Sequence, residues 1–155
     1  MSRLTDEQAA EAIAAHHVEL SGEIRRRAEI LAAAARAGQP FEDARIGVLD
    51  YLDRELLPHA AAEERALYPA ADRAATALLV RAMLDEHRRI VATVDRLRAP
   101  TDGISAANAV SAVLALFESH LDKENDYLIP ALVADPDVDL GVLLEGMHAL
   151  LGQGV

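Results

Sequence analysis

The sequence predicts an all-α fold, an up-down-up-down bundle of four long helices with a short fifth helix at the C-terminal end. Its 155 residues are 52% hydrophobic but only 3% aromatic, so the core must be built from Leu, Val, Ile and Ala. Ala and Leu are strong helix formers, whereas the residues that favour strands are scarce. Short turns separate the helical segments, which favours antiparallel neighbours. At this length we expect a single domain over residues 1–155.

The first helix is predicted to begin after Thr5, where "TDEQ" pairs Thr5 with Gln8 in a capping box. The "AGQP" sequence at residues 37–40 stops it. Residues at helical spacing form one stripe that is expected to face the core: Ile13, His17, Leu20, Ile24 and Leu31.

Three further long helices and one short helix follow. The second is predicted from about residue 42 to the low seventies, and Pro58 is expected to kink or split it, since proline removes a backbone donor and clashes with the preceding turn. The third covers about 76–99 and ends at the turn "PTDG". The fourth covers about 105–134, before "DPD". The stretch "LGVLLEGMHALLG" is predicted to form a short amphipathic helix.

The composition excludes several classes of protein. A net charge of −11, with 26 acidic against 15 basic residues, argues against nucleic acid as a partner, because phosphate binding depends on basic surface. The absence of Cys excludes disulfides, thiolate metal sites and Cys nucleophiles. "MSRLTDEQ" is too polar for a signal peptide, and no run approaches the roughly 18 apolar residues of a membrane span. We therefore expect a cytoplasmic protein without a membrane partner.

The same eleven-residue phrase occurs twice. "HAAAEERALYP" begins at His59 and "HLDKENDYLIP" begins at His120, and both read H-x-x-x-E-x-x-x-L-x-P. Residues four apart lie on one face of a helix, so His59 and Glu63 share a face, as do His120 and Glu124. The neighbouring residues on each face are largely apolar. Both pairs are therefore predicted to point into the core.

The other two long helices each supply one His on an apolar stripe, His17 and His87. A single His-x-x-x-Glu is usually a solvated ion pair, and a lone core His is usually hydrogen-bonded to a neighbour. Four His and two Glu buried together are costly unless a bound cation compensates them. Imidazole with carboxylate suits iron, zinc, manganese or nickel, and bridging Glu residues suit a pair of ions. The joint pattern therefore predicts a metal site.

The chain resembles a known family at these residues: the hemerythrin-like domains, also called the HHE cation-binding family. His17, "HAAAEERALYP", "DEHRRI" and "HLDKENDYLIP" carry the resemblance, which covers almost the whole chain. It implies a four-helix bundle that holds two non-haem iron ions bridged by oxo, hydroxo or water. It also implies that Glu63 and Glu124 bridge the irons and that the His residues divide between them.

One departure concerns the third helix. Oxygen-carrying hemerythrins have His-x-x-x-His there, but Val91 stands four residues after His87. Either a coordination position is open to water or peroxide, or another residue fills it. His148 is the candidate, because it shares a stripe with Leu140, Leu144 and Leu151 and is expected to face inward. The alternative is a packed or frayed C-terminal His.

The remaining polar residues near the two phrases are expected outside the metal site. His16 diverges by about 100° from its neighbour His17 on a helix. Tyr68 and Tyr127 are interpreted as packing residues, or as donors that orient a ligand. Three residues fall off the inward stripe and are expected to be solvated charges: Glu64, Asp122 and Asp126.

Three functions fit these observations. The leading hypothesis is a di-iron protein with dioxygen, hydrogen peroxide or nitric oxide as its small ligand, active in oxygen storage or in catalase-like peroxide breakdown. A second is an iron-binding or iron- or oxygen-sensing module without catalysis. A third is a bundle stabilised by one zinc ion. The sequence points to no protein partner, and fold and ligands alone do not decide between these functions.

Overall fold

Five helices form the structure, a computed structural model that describes residues 4–99 and 102–152. Helix α1 spans Asp6–Arg36, α2 spans residues 42–71, α3 spans Ala77–Arg98, α4 spans Gly103–Val133 and α5 spans Leu140–Gly152. The described residues include no strand. The all-α prediction and the short C-terminal helix are therefore confirmed, and the predicted helix ends lie close to the observed ones.

Local signals at the helix ends act as the sequence predicts. The backbone N–H of Gln8 donates to Thr5 Oγ1 at 3.3 Å, and the N–H of Thr5 donates to Gln8 Oε1 at 3.0 Å. This capping box satisfies two backbone donors that have no helical partner. Gly38 follows α1 with a φ of 61°, a left-handed conformation that favours glycine and ends the helix. At the start of α4, the N–H of Ser105 donates to Asp102 Oδ1 at 2.9 Å.

Pro58 does not split α2, because a π-helical turn precedes it. The turn spans Leu52–Leu56, and the N–H of Leu57 donates to the carbonyl of Leu52, five residues back. A π turn is wider than an α turn, so it leaves room for the proline ring beside the preceding carbonyls. The helix therefore continues through Pro58 to residue 71.

The same local structure recurs at both repeated phrases. A second π turn spans Glu63–Leu67 and a third spans Glu124–Leu128. A proline stands two residues after each of them, at Pro69 and Pro130. The closing proline of each phrase thus accompanies a π turn that begins at the phrase's own Glu.

Two apolar clusters fill the interior, and a layer of buried polar residues separates them. Cluster A contains Ile13, Leu67, Met83 and Leu128, and cluster B contains Leu20, Ile24, Leu52, Val94 and Val113, each with further aliphatic residues. Along α1 and α3 the residues of cluster A come first, and along α2 and α4 those of cluster B come first. Helix α5 contributes to cluster A.

Helix α4 is unusually apolar. Among the described residues, the helix Gly103–Val133 passes the test of length and composition for a membrane-spanning helix. It packs against α1 and α3, and it carries the buried His120 and Glu124. A core helix passes the same test of length and hydropathy, so the expected lack of a membrane partner stays a prediction.

The aliphatic core yields a prediction about stability. Leu31 is fully buried in cluster B, so Leu31→Ala is expected to lower the free energy of unfolding by about 2–5 kcal/mol, through lost burial and the cavity left behind. The neighbouring Ile30 is 50% exposed, and Ile30→Ala is expected to change the free energy of unfolding by about 0.5 kcal/mol or less. Urea denaturation followed by circular dichroism measures both. Equal effects of the two substitutions would contradict the assigned core.

Candidate metal centre

The six polar residues singled out from the four long helices lie together in the layer between the two clusters. Helices α2 and α4 each supply a His and a Glu, while α1 and α3 each supply one His. None of the six is more than 4% exposed: His17, His59, Glu63, His87, His120 and Glu124. The repeated phrases therefore meet at one place inside the protein.

Glu63 lies at the centre of this layer, and its two carboxylate oxygens face different imidazoles. Oε1 is 2.7 Å from His59 Nε2 and 3.7 Å from His17 Nε2. Oε2 is 3.4 Å from His87 Nε2. A carboxylate presented in this way can bridge two cations, because each oxygen has its own set of neighbouring nitrogen donors.

Two groups of ligand atoms share Glu63. One consists of His17, His59 and Glu63, and the other of Glu63, His87 and His120. Within each group the ligand atoms lie within 4.8 Å of one another. Donor atoms that are each roughly 2.1 Å from one ion lie about 3–4 Å apart, so each group has approximately the span of a single coordination sphere.

Glu124 lies between the two groups. Its Oε2 is 3.5 Å from His17 Nε2 and 3.8 Å from His120 Nε2, so the same oxygen faces one imidazole of each group. These distances exceed most of those around Glu63. Glu124 is nevertheless a second carboxylate placed between the two groups of ligand atoms.

Several buried polar atoms in this layer have no hydrogen-bond partner among the described residues: His17 Nε2, both nitrogens of His59, Glu63 Oε1 and both oxygens of Glu124. The 2.7 Å contact between His59 and Glu63 brings two such atoms together without hydrogen-bond geometry. Buried polar groups are rarely left unpaired, because desolvation is costly. Coordination of cations would satisfy these atoms except His59 Nδ1, the outer nitrogen of that ring, so the residues present fit a metal site.

The two buried carboxyls have opposite pKa shifts. Burial raises the pKa of Glu124 well above its ordinary value, and repulsion from Glu63 adds to the effect. Burial also acts to raise the pKa of Glu63, but the nearby imidazoles of His59 and His17 outweigh it and hold that pKa well below its ordinary value. Two ionised carboxylates at this place thus repel each other, and cations between them would remove that repulsion.

Hydrogen bonds from the outer nitrogen fix the orientation of three imidazoles. His17 Nδ1 donates to Asn125 Oδ1 at 2.9 Å, and His87 Nδ1 donates to Glu64 Oε1 at 2.8 Å. In each ring the Nε2 lone pair is then directed inward, as coordination requires. Glu64 is therefore more than the solvated charge expected from the sequence: it is 43% exposed and also bonded to a candidate ligand.

His120 has the most extensive outer contact. Its Nδ1 donates to Glu86 Oε2 at 3.2 Å, and Lys123 Nζ donates to the other oxygen of Glu86. Burial lowers the pKa of His120 to about 4, which keeps the ring neutral. A neutral ring with its proton on Nδ1 has Nε2 free to bind a metal.

Tyr68 also lies at the site, although the sequence favoured ordinary packing for it over a role in orienting a ligand. It is 2% exposed, and its hydroxyl lies 3.1 Å from His120 Nε2 and 3.3 Å from His87 Nε2. These two nitrogens are themselves 3.2 Å apart. The three atoms form a nearly equilateral triangle, with sides typical of donor atoms around one ion. Burial raises the pKa of Tyr68, and the nearby carboxylates add to the shift.

The π turn explains why α-helical periodicity misses Tyr68. In a regular α-helix, a residue five positions further along points about 140° away from the first residue. Here the N–H of Tyr68 donates to the carbonyl of Glu63, a bond that spans five residues and closes a wider turn. Tyr68 therefore returns towards the face of Glu63. Pro69, which accompanies this turn, was the signal in the sequence.

The other residues considered lie outside the two groups of ligand atoms. His16 is half-buried, with its ring centroid 5.1 Å from that of His59. Tyr127 is 65% exposed, and Asp122 and Asp126 are exposed as expected. His148 is exposed on α5 rather than facing inward, and it stands at the rim of a cavity beside His59. A ligand role for His148 stays a prediction.

Comparison with known protein families identifies this arrangement. The chain matches the Hemerythrin HHE cation binding domain over residues 8–132. The match covers most of the chain, from α1 to the end of α4, and includes all six residues of the buried layer. The chain therefore belongs to the hemerythrin HHE cation-binding family. Comparison with curated proteins and with solved structures finds no match.

The outer contact of His120 yields a prediction about metal affinity. Glu86→Gln is expected to weaken metal binding by about 10-fold or more, because a neutral amide accepts a weaker hydrogen bond from His120 Nδ1 and makes the imidazole less basic. The matched control is Asp85→Asn on the adjacent residue, whose carboxylate is exposed and bonded to Arg88. Competition with a chromogenic chelator measures both. An affinity unchanged by Glu86→Gln would show that Glu86 does not orient His120.

Proposed function

We propose that this chain is a non-haem di-iron protein that binds dioxygen or reacts with peroxide, in oxygen storage or in catalase-like breakdown of peroxide. The observation that carries the proposal is the division of the Glu63 carboxylate, with Oε1 towards His59 and His17 and Oε2 towards His87. A structural site for one ion does not need a carboxylate with nitrogen donors on both sides. This favours two ions over the single structural zinc.

The donor set suits iron as well as zinc, manganese or nickel, and membership of the hemerythrin family selects iron among them. Neutral imidazoles and carboxylates suit iron, and the chain offers no thiolate. His17 and His59 would hold one ion and His87 and His120 the other, with Glu63 and Glu124 between them. The ions, when bound, would supply the redox chemistry that no side chain here possesses. The chain's own contribution is to bury the site, orient the imidazoles and exclude bulk water.

Tyr68 is proposed as a further ligand of the ion held by His87 and His120. Its hydroxyl is within hydrogen-bond distance of both Nε2 atoms. This position would compensate for Val91, which stands where the oxygen carriers have a His. Val91 has no atom that can bind a metal, and its side chain is 44% exposed.

The proposed architecture is an up-down-up-down bundle of α1 to α4 with α5 added at one end. The order of the two clusters supports it. Residues of cluster A precede those of cluster B on α1 and α3, and the order reverses on α2 and α4. If the four helices alternate in direction, their buried polar residues lie at the same level along the bundle axis.

The alternative is an iron-binding or iron- or oxygen-sensing module without catalysis. The burial of both carboxylates favours it, because loss of the cations would leave charged groups unpaired between two apolar clusters. Metal occupancy would then control the stability of the fold. A protein that loses helicity on chelation, and that as the iron-loaded form neither binds oxygen nor consumes peroxide, would favour this function over the leading one.

The first test is metal content with peroxide reactivity. Aerobically purified wild-type protein is expected to hold two irons per chain by mass spectrometry and to evolve oxygen from peroxide. His59→Ala removes a donor beside Glu63 and is expected to lower the iron content and abolish oxygen evolution. The control is Asp126→Ala, at an exposed residue of α4 that belongs to neither group of ligand atoms. A separate variant, His148→Ala, tests that residue as a ligand. One zinc per chain, or iron-loaded protein inert to peroxide and oxygen, would overturn the leading proposal.

The Tyr68 assignment has its own test. If the phenolate binds ferric iron, the oxidised wild-type protein is expected to show a visible phenolate-to-iron absorption band. Tyr68→Phe should remove that band while most of the iron is retained. Tyr127→Phe, on an exposed tyrosine of α4, should leave the band in place. Identical spectra of wild-type and Tyr68→Phe protein would show that Tyr68 does not bind the iron.

A further inference from the structure

A small cavity lies between α1, α2 and α5, next to the metal centre. Its volume is about 90 Å³. Five apolar side chains line it: Ala12, Ile13, Leu144, Met147 and Leu151. Three imidazoles complete the lining, those of His16, His59 and His148. The cavity thus borders a candidate metal ligand, His59, on a side covered by α5.

His59 differs from the other three imidazoles of the site. The outer nitrogens of His17, His87 and His120 donate to Asn125, Glu64 and Glu86. His59 Nδ1 is buried and has no hydrogen-bond partner among the described residues, although the residue is only 3% exposed. Metal-bound imidazoles almost always donate from the outer nitrogen. A polar molecule in the adjoining cavity would supply the missing acceptor.

A route from solvent to this cavity passes the same residues. An open surface cleft beside it is lined by Asp53, Arg54, Glu55 and Pro58, and it shares His16, His59 and Leu151 with the cavity. His16 and Leu151 are both half-buried. Because they line both spaces, these two side chains lie where the cavity and the cleft meet.

The lining selects the class of molecule that fits. The described lining of the cavity consists of aliphatic side chains, one Met and imidazoles, so an ion would find no opposite charge there. A cavity of about 150 Å³ holds benzene, and 90 Å³ holds only a smaller molecule. The imidazoles offer hydrogen bonds, which hydrogen peroxide uses and dioxygen uses poorly. Size, neutrality and hydrogen bonding together favour peroxide.

We propose that this cavity is a docking site for hydrogen peroxide, reached from the surface cleft between His16 and Leu151 and anchored by a hydrogen bond to His59 Nδ1. Helix α5 then forms the outer wall of the site and excludes larger molecules. This inference rests on the proposed function and deepens it, because it selects peroxide over dioxygen as the small molecule handled here.

The kinetic test fills or enlarges the cavity. Leu144→Phe is expected to slow peroxide consumption by iron-loaded protein by about tenfold or more, because an added ring overpacks the space. The matched control is Leu150→Phe, which lies on the same helix and packs on cluster A without lining the cavity. Leu144→Ala enlarges the cavity and is expected to admit an alkyl hydroperoxide that the wild type excludes. Destabilisation cannot produce that gain.

A second readout does not depend on turnover. Xenon under pressure is expected to occupy the cavity in crystals of wild-type protein, because five apolar side chains line it, and to be absent from Leu144→Phe crystals, because the added ring fills the space. Absence of xenon from the wild type, or equal peroxide rates in wild type and Leu144→Phe, would overturn the docking site while leaving the proposed function intact. Xenon in the cavity of an iron-loaded protein that is inert to peroxide would overturn the peroxide assignment, and inertness to oxygen as well would overturn the proposed function.

Discussion

The burial of two carboxylates within an apolar bundle is the constraint on which the rest of this structure depends. Glu63 and Glu124 have almost no solvent exposure, and the pKa of Glu124 is raised by that burial and by its neighbour. The two carboxylates can be ionised together only where positive charge compensates them. The imidazoles around the pair, their outer hydrogen bonds and the aliphatic clusters on both sides are arranged around this requirement. The family to which the chain belongs is one of cation-binding domains, which agrees with it.

The backbone of α2 and α4 is adapted to the same requirement. In each of the two repeated phrases a π turn begins at the buried Glu and ends two residues before a proline. A proline inside an α-helix is destabilising, but the wider turn accommodates it and changes the angular position of the residues that follow. This is how Tyr68 comes to lie against His87 and His120. One proline in the sequence thus affects both the path of the helix and the set of side chains at the site.

The sequence predicted the helices well, because capping boxes and turns are local signals that the neighbouring residues largely determine. It also predicted the six buried polar residues, since spacing of four on an apolar stripe implies one inward face. It placed Tyr68 second to packing, because that judgement assumed a regular α-helical period through a segment that contains a π turn. Glu64 is exposed as expected, but its contact with His87 joins two helices. The contacts of Asn125 and Glu86 join separate helices, so no short-range pattern contains them. His148 was expected inward from its stripe, whereas a helix at the edge of a bundle leaves part of such a stripe exposed.

The polar layer between two aliphatic clusters also has a consequence for how the helices are aligned lengthwise. Aliphatic side chains are similar enough that a helix in a purely apolar bundle can slide by one turn, about 5.4 Å, and still bury the same kind of surface. Here such a slip would move a Glu or a His out of the layer and into hydrocarbon, without the partners that lie at its own level. We infer that the layer fixes the axial register of the four helices, a role that buried polar groups also have in coiled coils.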